Sequence, residues 1–204
     1  MKIICIGRNY ADHVKELGNA VPEEPVFFLK PDSAILLRGN PFFIPEWTKE
    51  IHYEVELVFR INRLGKHIAP EFAHRYFSEV GLGIDFTARD IQDEQKKKGL
   101  PWEKAKAFDG SAVISERFLS LETFSDHDQI PFSLKKNSQV VQQATSGMML
   151  NKPGKLISYV SQFMTLKMGD LLFTGTPSGV GAVSAGDVLE GFLGDEQMFR
   201  VNVK

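Results

Sequence analysis

The stretch Ile51-His52-Tyr53-Glu54-Val55-Glu56-Leu57-Val58-Phe59 predicts a β-strand, because β-branched and aromatic residues dominate it. Residues two apart in a strand point to the same face. Glu54 and Glu56 therefore project side by side, with Val55 and Leu57 on the opposite face. Two adjacent carboxylates on a half-buried face repel each other, and a divalent cation would remove the conflict. A third carboxylate, Asp85, lies in a second apolar run, Gly81-Leu82-Gly83-Ile84-Asp85-Phe86. A charge in such a setting is costly unless it is paired or bound to a metal. Taken alone, a Glu-x-Glu pair is most simply the solvated face of an edge strand, since charges are usually exposed. The surrounding sequence decides between the two readings.

Outward from this strand, most elements read as short strands separated by Pro and Gly. Strands are predicted over residues 2–6, 26–29, 34–37, 42–44, 52–61 and 79–86. Residues 131–135 and 139–144 form a hairpin turning at Asn137-Ser138, and residues 170–203 alternate apolar strands with Gly-rich turns. A helix over 10–17 is stopped by Gly18, and Pro70 opens another through Phe77. Thr87 and Asp90 resemble a capping box for a helix that runs through Gln92 to Lys98. Lys96, Lys97 and Lys98 suit its negative end and read as a solvated terminus, not a binding patch. A helix over 153–164 carries the apolar stripe Leu156, Ile157, Val160, Phe163 and Met164. The helices do not alternate regularly with the strands, which argues against a doubly wound sheet and for an α+β, mainly β architecture. No repeat or composition break divides the chain, so residues 1–204 read as a single domain. The proline-broken loop over 18–25, beside the first helix, is a lid candidate.

The 204 residues suffice for one substantial core, and 43% apolar with 25% charged residues is ordinary for a globular protein. A net charge of −2 gives no reason to expect a nucleic acid or membrane partner. The single cysteine, Cys5, excludes an internal disulfide and points to an intracellular setting. The apolar run around it is too short for a signal peptide, and no stretch is long enough to span a bilayer. A cytoplasmic location is expected.

Three further groups offer chemistry. His13 and Glu16 are three apart, on one face of the first predicted helix. A carboxylate beside an imidazole orients it for general-base work, although such pairs are also common on ordinary surfaces. Lys106, between Ala105 and Phe108, can stabilise an anion if buried, or bury only its stem. Thr174-Gly175-Thr176-Pro177-Ser178-Gly179-Val180-Gly181 offers hydroxyls and close backbone approach, yet lacks the Gly-Lys-Ser/Thr of a phosphate loop. Five histidines without metal-ligand spacing and one cysteine leave carboxylates as the main metal ligands. Hard oxygen ligands suit Mg²⁺, Mn²⁺ or Ca²⁺. Three carboxylates leave about three of six octahedral positions for water and substrate, which suits Mg²⁺.

In order along the chain, these segments resemble the fumarylacetoacetate hydrolase family. The resemblance rests on Ile6-Gly7-Arg8-Asn9-Tyr10-Ala11-Asp12-His13, Phe28-Leu29-Lys30-Pro31 and Tyr53-Glu54-Val55-Glu56-Leu57. It continues through Gly83-Ile84-Asp85-Phe86-Thr87-Ala88-Arg89-Asp90, Lys106, and Gly169-Asp170 leading to Thr174-Gly175-Thr176-Pro177. The likeness is strongest to the short acylpyruvase and oxaloacetate decarboxylase-like members. It implies a mixed β-sheet roll flanked by a few helices, a homodimer, and a segment around residues 10–25 that closes over substrate. It implies that Glu54, Glu56 and Asp85 bind Mg²⁺ or Mn²⁺ and that His13 and Glu16 form a catalytic dyad. Gln92 and Lys106 match substrate-contacting positions, Thr176 matches the hydroxyl of the Gly-Thr loop, and Arg89 matches a carboxylate contact. Lys30 matches a motif position without an assigned role. Tyr53 stands where many relatives have a second histidine, and Arg8-Asn9 where long members have another acidic ligand, so three protein ligands are expected.

The implied substrate is a 2-oxo acid whose carboxylate and keto oxygen both reach the metal. Lys106 adds a second positive charge where an enolate develops. The expected reaction is hydrolysis of a C–C bond in acylpyruvates such as fumarylpyruvate or acetylpyruvate, or decarboxylation of oxaloacetate. Isomerisation or decarboxylation of 2-hydroxyhepta-2,4-diene-1,7-dioate is the alternative within the enzyme class. A catalytically silent module that binds metal or oxo acid is the alternative outside it; His13 beside Glu16 argues against that, because binding alone needs no base.

Overall fold

The strand at 51–61 is broken at Glu54, and this break organises the architecture. The computed structural model describes every residue except Leu17 and Asn19, so the end of the first predicted helix and part of the lid candidate lie outside the described residues. The chain runs β1 (Ile3–Gly7), α1 (Ala11–Glu16), β2 (Val26–Lys30), β3 (Ile51–Tyr53), β4 (Val55–Ile61), β5 (Phe77–Asp85), β6 (Thr87–Ala88), α2 (Arg89–Lys98), α3 (Glu103–Lys106), β7 (Ala112–Ile114) and β8 (Leu119–Ser120). It continues as β9 (Pro131–Lys136), β10 (Gln139–Thr145), α4 (Pro153–Phe163), β11 (Leu171–Phe173), β12 (Gly181–Ala182), β13 (Val188–Leu193) and β14 (Glu196–Asn202).

A seven-stranded sheet has the order β2-β1-β11-β4-β5-β7, with β8 on the far part of β5. Its one parallel pairing joins β1 to β11, and its other pairings are antiparallel. A four-stranded sheet, β10-β9-β13-β14, packs against it, and β12-β3-β6 form a small third sheet. The result is a mixed, curled sheet with a few helices, mainly β.

β4 is buried on both faces, not one. Val55, Leu57 and Phe59 join Leu82 and Ile84 of β5 and Phe132, Leu134 and Leu189 of the second sheet in the main core. Fully burying each such side chain contributes about 1.5–3 kcal/mol. The opposite face carries a smaller cluster of Ile3, Cys5, Val58, Leu171 and Phe173. Register sets Lys30 beside Ile3, Glu56 beside Gly83 and Asp85 beside Ala112. Lys30, Glu56 and Asp85 therefore share this second face. Gly83 leaves room on it: a Cβ there would sit 2.5 Å from the Phe173 ring and 2.6 Å from the Val113 carbonyl oxygen.

Four expectations need correction. Residues 34–37 are not a strand: Asp32–Ala34 is a 3-10 turn, and only Ile35 bridges, to Ala112. Residues 42–44 reduce to a bridge between Phe42 and Val203. Pro31 and Pro41 lack the N–H that a longer ladder needs. The helix opened by Pro70 is a 3-10 helix over Pro70–Tyr76. The capping box does not form, because Ala88 is the N-cap of α2 and Asp90 instead accepts from Thr48 Oγ1 at 2.5 Å and Lys49 N at 2.9 Å. The hairpin turn is as read, with positive φ at both Asn137 (52°) and Ser138 (70°), as the tight two-residue turn requires.

Asp170 fastens β11 to the start of β1. Its buried carboxylate accepts from Lys2 N and Lys167 N, each at 2.8 Å, and from Lys2 Nζ. Burial works to raise its pKa, but these donors outweigh it and hold the group below the usual carboxylate range. Asp170→Asn should cost about 1–3 kcal/mol of stability at neutral pH. A depressed folded pKa gives stability that is present above the unfolded value, about 4, and lost as pH falls through the folded one. The urea-midpoint gap between wild type and Asp170→Asn should therefore be widest near pH 7 and close in acid. A gap unchanged down to about pH 2 would contradict this assignment.

Candidate active site

The break in the strand is held by side chains from two other elements. Val55 N donates to Gln142 Oε1 of β10 at 3.0 Å. Thr176 Oγ1 donates to Val55 O at 2.8 Å and accepts from Gln142 Nε2 at 2.8 Å. Asp85 N donates to Glu54 O at 2.9 Å. Gly175 N donates to Glu56 Oε2 at 2.7 Å. Gly175 has φ 91°, and a Cβ there would lie 2.9 Å from Asn9 Cβ, so glycine is what lets this amide reach the carboxylate.

Together these contacts gather Glu54, Glu56 and Asp85, all buried, with ligand oxygens within 4.8 Å of one another. Lys106 Nζ, from α3, lies 2.7 Å from Glu54 Oε2, 2.7 Å from Asp85 Oδ2 and 2.6 Å from Thr87 Oγ1. Thr87 thus serves the site and not a helix cap. Arg89 Nη2 bonds Glu54 Oε1 at 3.0 Å, and Arg89 Nη1 bonds Gln92 Oε1 at 2.8 Å. Lys30 Nζ lies 2.8 Å from Asp85 Oδ1 but directs its hydrogen bonds to Ser111 Oγ and to the carbonyls of Ser111 and Lys106.

The charges are shared unevenly. Burial works to raise the Glu54 pKa, but Lys106, Arg89 and His13 outweigh it and hold the group well below the ordinary carboxylate range. Burial also opposes the charge on Lys106, yet Asp85 and Glu54 keep its pKa above the usual lysine value. Glu56 has no ion-pair partner among the described residues. Burial, then the charges of Asp85 and Glu54, push its pKa well up, against the pull of Lys106 and the Gly175 amide. Asp85 Oδ1 lies against the Lys30 ammonium without a well-aligned hydrogen bond. A buried carboxylate without an ion pair, within 4.8 Å of two others in an all-oxygen donor set, fits a hard divalent cation such as Mg²⁺ or Mn²⁺.

His13 is buried beside this trio, and its Nδ1 lies 3.1 Å from Glu16 Oε2. Glu16 is itself steadied by Gly179 N, which donates to its Oε1 at 3.1 Å. One pocket is lined by His13, Glu54, Glu56, Asp85, Arg89, Gln92, Lys106 and Thr176, and Glu16 stands behind His13. All nine site residues expected from sequence thus converge. The Thr176 proton, however, is committed to the Val55 carbonyl.

Lys30, matched to a motif position without a role, is the buried cation beside Asp85. Other residues, of the pocket itself, escaped the sequence reading. Lys96 is not part of a solvated terminus: it is half-buried and lines the pocket, while Lys97 and Lys98 remain exposed. Its spacing from Arg89 and Gln92 places it on the same helix face, which is the signal that could have found it. Arg8 and Phe28, which lie in segments that carry the family resemblance but have no assigned role there, also line the pocket, as does Trp102.

The chain matches the family model described as fumarylacetoacetate (FAA) hydrolase C-terminal over residues 2–199. It is 43% identical over 188 residues to the oxaloacetate tautomerase YcgM of Escherichia coli (strain K12), covering 92% of this chain and 86% of that protein. It is 42% identical over 202 residues to the mitochondrial oxaloacetate tautomerase FAHD1 of Rattus norvegicus, covering 99% of this chain and 91% of that protein. Among solved structures, fumarylpyruvate hydrolase from Pseudomonas aeruginosa in complex with Mn²⁺ and pyruvate superposes with a TM-score of 0.92 at 34% identity, covering 100% of this chain and 89% of that one. Among the described residues no helix is long and apolar enough to cross a membrane. The chain is an enzyme of the fumarylacetoacetate hydrolase family.

Proposed function

We propose that this enzyme interconverts the keto and enol forms of oxaloacetate or a closely related 2-oxo acid, with Mg²⁺ or Mn²⁺ held by Glu54, Glu56 and Asp85. The observation that carries this reading is the buried trio, one member without a counter-ion, facing the same pocket as Lys106 and His13. It is supported by two relatives named as oxaloacetate tautomerases and by a neighbour that holds Mn²⁺ and pyruvate, itself a 2-oxo acid. A divalent cation bound there would polarise the C2 carbonyl and make the C3 proton easier to remove.

The rest of the chemistry belongs to the chain. Glu16 accepts the Nδ1 proton of His13, which leaves Nε2 as the basic atom. His13 takes the C3 proton, the C–H electron pair forms the C2=C3 bond as the carbonyl pair moves onto the C2 oxygen, and the His13 imidazolium delivers the proton to that oxygen to give the enol; ketonisation is the reverse. The Lys106 ammonium adds positive charge where negative charge develops on the C2 oxygen. Gln92, with Arg89 held beside it on Glu54, lines the pocket wall and donates to the substrate's C1 carboxylate.

The buffered His13–Glu16 pair also favours a second reading, hydrolysis of acylpyruvates. There His13 activates water to attack the distal carbonyl, the C–C bond breaks, and pyruvate leaves as its enolate. Decarboxylation of oxaloacetate needs no base, since carbon dioxide leaves without a nucleophile.

His13→Ala should lower tautomerisation or acylpyruvate hydrolysis by about 10²–10⁴-fold while sparing metal binding and oxaloacetate decarboxylation. Wild-type tautomerisation and hydrolysis in that variant would dismiss the base assignment. Glu56→Gln removes the buried carboxylate that lacks an ion pair, so the metal-free protein should gain stability, read as a higher urea midpoint at neutral pH. Its Mg²⁺ affinity by calorimetry should fall at least about 100-fold, beyond the usual effect of an outer-shell change. Undiminished affinity would show that the trio is not the metal site.

A further inference from the structure

We infer that Arg8 and Lys96 form a second anion subsite in the same pocket, which binds the far carboxylate of a 2-oxo dicarboxylic acid. This deepens the proposed function and rests on it. The other cations of the site are already engaged. Arg89 pairs with Glu54, Lys106 with Glu54 and Asp85, and Lys30 with Asp85. Arg8 and Lys96 line the pocket and are half-buried, yet among the described residues neither makes an ion pair or a side-chain hydrogen bond. A cation partly withdrawn from water without a partner is unfavourable. Two of them lining one pocket point to a negative group arriving from outside.

The backbone aims these two side chains deliberately. Arg8 has φ 58°, a left-handed conformation that a non-glycine residue seldom adopts. It is imposed by the next residue. Asn9 is buried, donates to Thr174 O at 2.8 Å and Asn151 O at 3.0 Å, and accepts from Asn151 N at 2.8 Å. Strain that neighbours over-determine in this way clusters at ligand sites. Lys96 approaches from α2, its Nζ 5.9 Å from the centre of the Trp102 ring. Trp102 in turn reaches toward the end of β1, where a Cβ on Gly7 would lie 3.7 Å from its ring. Arg8, just after β1, and Lys96, on α2, thus line the pocket to which Trp102 also contributes. Burial and the nearby Arg89 guanidinium lower the Lys96 pKa, against the weaker pull of Asp93 and Glu54. A neutral acyl tail leaves both charges uncompensated, whereas a carboxylate satisfies both.

The test compares oxaloacetate with its C4 monoethyl ester, which keeps the 2-oxo acid end and lacks the far charge. In Lys96→Met, which keeps the contact with Trp102, and in Arg8→Gln, the ratio of kcat/KM for oxaloacetate to that for the ester should fall about ten-fold or more. The loss should appear in KM, as for a group bound equally in ground and transition states. A ratio within two-fold of wild type in both variants overturns the subsite and leaves the tautomerase reading standing. If the wild type turns over neither compound, calorimetry of oxaloacetate binding decides. Weakening of about ten-fold in Lys96→Met retains the subsite and removes the tautomerase reading, and undiminished binding overturns the subsite as well.

Discussion

Glu56 lies buried between two other carboxylates, and its direct donor is a backbone amide, that of Gly175. Around it, Lys30, Lys106 and Arg89 supply three positive charges to balance three negative ones, but they distribute them to Glu54 and Asp85. A cluster that is neutral in sum therefore keeps one uncompensated member. Neutral balance limits the desolvation cost of the cluster, and the uneven sharing leaves a local field suited to a divalent cation. A fourth cation paired with Glu56 would remove that field.

The sheet tolerates this because its two faces do different work. One face of β4 and β5 packs against the second sheet and supplies the main core. The other carries the charged groups beside a small apolar cluster, with Gly83 thinning the packing opposite Glu56. The break at Glu54 then requires backbone groups to find other partners, and Gln142, Thr176 and the Asp85 amide supply them. Thr176 and Thr87 illustrate how a hydroxyl near a site can be structural: each is held in the network that positions charges.

Much of this was legible from residues. Period-two spacing placed Glu54 and Glu56 together, and Asp85 closed an apolar run whose charge needed a reason. The Asn137-Ser138 turn and the Gly99 stop of α2, with φ 65°, follow from local backbone rules. What failed was information carried by tertiary contacts. Whether the second face of β4 was solvated depended on helices packed over it. Thr87 looked like a cap because its competing partner, Lys106, is nineteen residues away. Lys96 looked like one of three equivalent lysines, although only its helix face meets the pocket. Arg8 stood in a matched segment without a role, because its left-handed conformation goes with Asn9 reaching residues 151 and 174, far along the chain.

The place of β11 in the sheet has a consequence for how the protein comes into being. Residues 171–173 lie between β1 and β4, so the strand at the beginning of the chain has its central neighbour near the other end. Until those residues leave the ribosome, β1 and β2 have no route into the sheet that holds the carboxylates. Contacts of such separation form late and slowly, and chains are made at about 5–20 residues per second. β4 and β5 are thus made seconds before the lysine of β2 can dock beside Asp85. During that interval the nascent chain carries open strand edges, which are prone to pair wrongly and aggregate.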